Sequence, residues 1–264
     1  MAGWIAWMLT GLVATGTALA DTELRGTTVR ICDDAAEWPP YSYYRREAGR
    51  KTARLEGYSV DVITTIFAKH GITFSIELLP WKRCLSELAA GQRYQMLLSA
   101  SANPERKAGY LLSQPYYRTR YHYFYSRLRH PEGLRIKAPG DLNRYALGGI
   151  NGYAYSRLEG VDLTRMQRTI NYPSLLRMLQ LGRIDVFAED IEVIQGLSKL
   201  GADPLAGDPA LGHAPLPGVG DNLFHMMFSK NHPLGARLKT LVDRELALME
   251  SSGQLQRLLA RHQP

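Results

Sequence analysis

Apolar positions along this chain switch repeatedly between a strand period and a helix period. Residues 27–32 (TTVRIC) form a short β-branched run, and residues 72–79 and 94–101 (YQMLLSAS) read as further strands. Between them lie helical patterns. In EGYSVDVITTIFAKHG, Val62, Ile63, Ile66 and Phe67 share one helical face, and Gly71 stands where a C-cap would. KRCLSELAAG predicts a second amphipathic helix ending at Gly91, and Asn103-Pro104 reads as an N-cap followed by proline at the first helical position. DDAAEWPPYSYY is a loop, because Pro39-Pro40 fits neither a helix interior nor a central ladder. After the strand YHYFYSR the theme repeats: strand YALGGI, a helix beginning near Gly152, strand TINY, helix SLLRMLQLG, strand RIDVFAED and late strand HMMFSK. Residues 234–261 are helical with a break at Gly253. Strands alternating with helices of this length predict α/β architecture with largely parallel sheets. The units fall into two similar sets that divide near residues 122–130, as two lobes facing across a cleft would.

Residues 1–20 break the pattern. They carry no charged side chain, run apolar from Trp4 to Ala14 and end in Ala18-Leu19-Ala20, the layout of a cleavable secretory signal peptide. No lysine or arginine precedes the apolar run, and the alternative is an uncleaved anchor. Cleavage predicts an exported mature chain. Composition agrees with a globular protein of one large domain or two lobes: 264 residues, 45% hydrophobic and 22% charged. The net charge of +7 suits an anionic partner without specifying one. Two cysteines exclude a disulfide-rich scaffold and a cysteine-based metal cluster. In an oxidising compartment Cys32 and Cys84 are a candidate disulfide; the alternative is two separate buried thiols.

The ordered set WPPYSY, EGYSVDVITTIFAKHG, LPWKRCLSELAAGQ, SASANPERKAGYLLSQPYY, GRIDVFAED, FSKNHP and SSGQLQRLLARH resembles the bacterial periplasmic solute-binding proteins of family 3, which serve polar amino-acid uptake. The resemblance spans residues 28–262. It implies an α/β, two-lobed periplasmic-binding-protein fold of type II, with two crossover hinge strands and a ligand cleft between the lobes. On this chain residues 27–123 and 222–264 would form the first lobe and residues 124–221 the second. It further implies that a small polar solute, an amino acid or a relative, closes the lobes in the periplasm for delivery to an ABC-type permease. A monomer is expected, with no cofactor.

A free amino acid offers a carboxylate, an ammonium and a side chain, and a site must replace their hydration. Arg106 stands at the position where the family's "PER" arginine holds the carboxylate, a task a planar guanidinium performs with two hydrogen bonds. As a mere surface cation it would oppose the helix dipole. Ser99 and Ser101 point to one face of a strand end, and the family places ligand contacts at these offsets. Asp190, at the end of RIDVFAED, matches the family's ammonium partner, with Glu189 and Glu192 as close neighbours of the same chemistry. Gly152 lies where the family turns into an anion-binding helix start, but GYAY puts Tyr153 and Ala154 in place of the usual hydroxyl residues, which questions ordinary α-amino-acid specificity. Trp38 and Trp81 match positions that sandwich the ligand's side chain, and Tyr117 is a further aromatic candidate; Tyr41 and Tyr43 read as lobe packing.

Other classes fare worse. YYRTRYHYFYSRLRH mixes basic and aromatic residues as single-strand nucleic-acid binders do, yet it alternates as a strand and follows an export signal. The seven histidines lack metal-ligand spacing, and no P-loop, dinucleotide fingerprint or nucleophile elbow is present. Two alternatives persist. One is a cyclohexadienyl-dehydratase-like enzyme on the same fold, which needs a general acid in the cleft, with Glu189, Asp190 or Glu192 as candidates. The other is a ligand sensor for a membrane receptor.

Overall fold

A computed structural model describes residues 24–263; the signal-peptide reading of residues 1–20 lies outside them. In chain order the elements are β1 (Thr28–Asp34), β2 (Tyr43–Glu47), β3 (Arg50–Glu56), α1 (Tyr58–His70), β4 (Thr73–Leu79), α2 (Trp81–Ala90), β5 (Met96–Ser101), α3 (Pro104–Gly109), β6 (Tyr110–Leu112), β7 (Tyr117–Thr119) and β8 (Tyr121–Ser126). There follow β9 (Leu147–Ile150), β10 (Gln167–Thr169), α4 (Tyr172–Gln180), β11 (Val186–Asp190), α5 (Ile191–Gly196), α6 (Pro204–Gly207), β12 (Leu211–Pro215), β13 (Asn222–Ser229), α7 (Gly235–Ser251) and α8 (Gln254–His262).

Two sheets organise these elements. The first has the order β4-β1-β5-β13-β6, with β7 also paired to β13; the second has the order β10-β9-β11-β8-β12. The pairs β1–β4, β1–β5, β9–β10 and β9–β11 are parallel. Where the chain crosses between sheets the strands run antiparallel: β13 against β5, β6 and β7, and β8 against β11 and β12. The sheets are therefore mixed rather than largely parallel, because two crossings must return the chain in the opposite direction. Only Arg120 separates β7 from β8, and the return runs from Pro215 to Asn222.

The buried faces follow the apolar pattern. Val62, Ile63, Ile66 and Phe67 of α1 are all at most 1% exposed, beside Val29 and Ile31 of β1. Gly71 caps α1 in the left-handed region at φ 64°. Cys32 of β1 and Cys84 of α2 are joined in a disulfide with Cα atoms 5.7 Å apart, so the two-thiol alternative falls.

Two segments depart from expectation. Residues 43–56 form a β2–β3 hairpin whose sequence, YYRRE and RKTARLE, has no apolar alternation; Arg46 and Lys51 secure it to Glu37 at 2.9 and 2.8 Å. No helix begins near Gly152. Residues 151–166 are turns with one short 3₁₀ segment, because Tyr155 folds back, its hydroxyl accepting the Ile150 amide at 2.7 Å.

Candidate ligand-binding site

The two sheets meet at a cavity lined by residues of both. On the side of the first sheet it is lined by Asp33, Asp34, Trp38, Trp81, Ser99, Ser101 and Arg106; on the side of the second sheet by Tyr121, Tyr153, Tyr155, Glu189 and Asp190. Most polar members sit at strand C-termini or in the turns after them, where open α/β sheets place ligands.

Arg106 is set by α3. Asn103 caps that helix, its side chain accepting the Arg106 amide at 2.7 Å. The guanidinium, 6% exposed, donates from Nη1 to the Ser101 carbonyl at 2.8 Å and to Ser101 Oγ at 2.9 Å. It lies 5.4 Å from the Trp81 ring centroid. Burial pushes its pKa down from the usual value. The buried guanidinium donates to hydroxyl and carbonyl oxygens and is paired with no carboxylate among the described residues, an arrangement chemically able to take an anionic group. Trp81 Nε1 is buried beside it without a hydrogen-bond partner. Ser99 Oγ lies 3.2 Å from Ser59 Oγ, which in turn meets the Tyr116 hydroxyl at 2.6 Å.

Asp190 is held at the crossing point of the chain. Its Oδ1 accepts from Thr119 Oγ1 at 2.6 Å and its Oδ2 from Asn222 Nδ2 at 3.3 Å, one partner from each connection between the sheets. Burial raises its pKa to about 7 despite both hydrogen bonds. Glu189 is 1% exposed; its Oε1 accepts the Asp190 amide at 3.2 Å and its Oε2 has no partner. Burial, reinforced by the Asp190 charge, holds its pKa well above the carboxylate range. Asp33 accepts from Ser42 Oγ at 2.7 Å, leaves Oδ1 unpartnered, and is raised by burial to about 7. Asp34 accepts from the Ala36 amide at 3.0 Å and from the Tyr153 hydroxyl at 2.7 Å, with burial raising it to about 6.

The Tyr153–Asp34 hydrogen bond spans the two lobes. So do the contacts of Trp38, whose ring centroid lies 5.7 Å from Tyr153 and 6.3 Å from Tyr172. Two candidates stand elsewhere. Tyr117 does not line the cavity: it is stacked between Tyr41 and Phe224, and its hydroxyl accepts Trp38 Nε1 at 3.1 Å. It positions the tryptophan from behind. Gly152 (φ 83°) does not line the cavity and starts no helix, so it is no helix-end anion site; its Cα abuts α2, where a Cβ would come within 2.9 Å of Lys82 Cγ. Glu192 also lies outside, its carboxylate accepting from the Arg120 amide and Nε at 2.9 Å. Asp33, Asp34, Tyr121 and Tyr155 escape the motif reading; consecutive acids at the end of a buried strand are the signal that points to the first two.

Two α/β lobes joined by two crossovers, with a buried cavity walled by both, define a hinge-closing receptor for a small solute. The chain belongs to the bacterial extracellular solute-binding proteins, family 3, whose family model matches residues 29–263. No curated protein sequence matches it significantly. Among solved structures it is similar to an ancestral arginine-binding protein bound to arginine (18% identity, 90% of this chain and 99% of that one, TM-score 0.71). It is also similar to EhuB in complex with hydroxyectoine (22% identity, 93% and 90%, TM-score 0.72). A third is the arginine-, lysine-, histidine-binding protein ArtJ from Geobacillus stearothermophilus (19% identity, 90% and 96%, TM-score 0.68).

Proposed function

We propose that this chain is the periplasmic receptor of an ABC-type importer for an amino-acid-like solute with a basic nitrogen. Cleavage of residues 1–20 would release it after export. Residues 27–123 and 222–264 would act as one lobe, residues 124–221 as the other, and the closed form would dock on the permease. The observation that carries this reading is the charge layout of the cavity: one buried guanidinium without a carboxylate partner among the described residues, sharing the cavity with four buried carboxyl groups. A zwitterion fits it, with its carboxylate on Arg106, Ser101 and Trp81 Nε1, and its nitrogen among Asp33, Asp34 and Asp190. The ligands of the arginine-binding proteins named above have this chemistry, and those proteins bind rather than transform, which supports binding without turnover here.

The test is a thermal-shift screen of residues 21–264, refolded to remove carried ligand, against L-arginine, L-lysine, L-histidine, L-glutamine, hydroxyectoine and prephenate. Ligand at about a hundred times its dissociation constant adds roughly 2.7 kcal/mol. For a chain of this size that is a rise on the order of 5–10 °C. We expect it from at least one basic amino acid, and expect Arg106→Ala to abolish it while leaving the unliganded transition cooperative. A response to none of the amine-bearing solutes overturns the reading.

A further inference from the structure

Asp190 and Glu189 are sequence neighbours with different availability. Asp190 presents its carboxylate with an internal donor on each oxygen. Glu189 leaves Oε2 without a hydrogen bond within 3.5 Å, the Tyr172 side chain being the donor beside its carboxylate, although the residue is 1% exposed and lines the cavity. An unpartnered buried carboxyl oxygen is costly, so the free Oε2 marks where a donor is missing. Both residues line the cavity, but Asp190 is bound by Thr119 and Asn222 whereas Glu189 is not.

The surroundings describe that donor. Tyr153, Tyr155 and Tyr172 are packed around Glu189; the Tyr153 and Tyr172 hydroxyls are 3.5 Å apart, and Tyr153 is committed to Asp34. Across the cleft, Asp34 adds negative charge toward Glu189. Carboxyls from the two lobes thus act on each other across the cleft, and a cation placed beside them removes the repulsion. We propose that Glu189 is the specificity-determining residue of the cleft: its free Oε2 accepts a hydrogen bond from a second, side-chain nitrogen of the solute, so that closure selects ligands with a cationic side chain. This rests on the reading of the cavity as an amino-acid-like site, and its test separates the two.

L-Arginine and L-citrulline have nearly the same shape and differ in the charge of the terminal group, so their affinity ratio, measured calorimetrically, isolates the side-chain charge. Glu189→Gln should cost L-arginine on the order of tenfold to a hundredfold, the range of a charge-assisted hydrogen bond, and move L-citrulline by less than about threefold. The arginine preference then collapses. Equal losses for both ligands, or no loss for either, in a folded variant overturn the proposal while leaving the receptor reading intact. Wild-type protein that binds neither L-arginine nor L-lysine overturns the proposal together with its premise. Should Glu189→Gln fail to fold, the wild-type complex with L-arginine decides by crystallography: a guanidinium nitrogen within hydrogen-bond distance of Glu189 Oε2 supports the assignment, and its absence there refutes it.

Discussion

Asp33 and Asp190 make the cavity sensitive to protons. Each has a folded pKa of about 7 against an ordinary 3.8, with burial as the main cause. A raised carboxyl pKa means that the folded protein holds protons which the unfolded chain has released. The contribution of these two carboxyls to the stability of the unliganded form is therefore fully present below about pH 4 and is lost as pH rises toward 7. A cationic ligand favours the ionised carboxylates, so its affinity must move the other way. We expect L-arginine to bind several-fold more tightly at pH 8 than at pH 5.5, while the melting temperature of the free protein drops over the same interval; calorimetry and thermal denaturation at matched ionic strength read the two slopes. An affinity that stays flat would show that these carboxyls lie outside the binding equilibrium. At this scale the legible residues were those with a motif around them. Arg106, Ser99, Ser101, Trp38 and Trp81 stand in recognisable segments, and all five line the cavity. Glu189 was visible only as a neighbour of Asp190, because nothing in a strand sequence says which of two adjacent acids is left without a donor.

Among the elements, α2 depends most on a covalent tie. The Cys32–Cys84 bond closes a separation of 52 residues within one lobe and fixes the helix that carries Trp81 to the inner strand β1. In the loop-entropy account such a crosslink is worth about 4 kcal/mol. Replacing both cysteines by alanine should lower the melting temperature by on the order of 10 °C and leave ligand affinity within about threefold, since neither sulfur lines the cavity. A binding loss as large as the stability loss would mean that the tie shapes the site itself. The helices and core strands were readable because their apolar spacing records burial directly. The β2–β3 hairpin was not, for its stability comes from backbone pairing and from Arg46 and Lys51 on Glu37. The helix expected after Gly152 failed for a related reason: the tyrosines at 153 and 155 spend their side chains on contacts across the turn and across the cleft, which no local periodicity encodes.

Across the molecule as a whole, the two lobes approach each other through backbone. Gly196, at the end of α5 in the second lobe, faces Pro39 in the first; a Cβ there would lie 2.5 Å from the Pro39 carbonyl carbon and oxygen. Gly196→Val should keep both lobes folded yet hold them apart, weakening ligand binding by tenfold or more and enlarging the radius of gyration measured by small-angle X-ray scattering with saturating ligand. A variant that still compacts on ligand addition would show that the lobes close by another path. The two-lobed plan was legible from the doubled strand–helix theme and the order of motifs, whereas the close approach at Gly196 exists only once both lobes are assembled. The strand order carries one more consequence. The second sheet is built from one uninterrupted stretch of chain, residues 121–215, but the first must wait for β13, which fits between β5 and β6. A chain threaded through a membrane amino end first would thus deliver an unfinished half-sheet with two bare edges, and its middle segment could mature before its beginning. Bare edges invite wrong partners, so for a chain delivered that way the interval between the emergence of residue 112 and that of residue 229 is the one in which those edges stand unpaired.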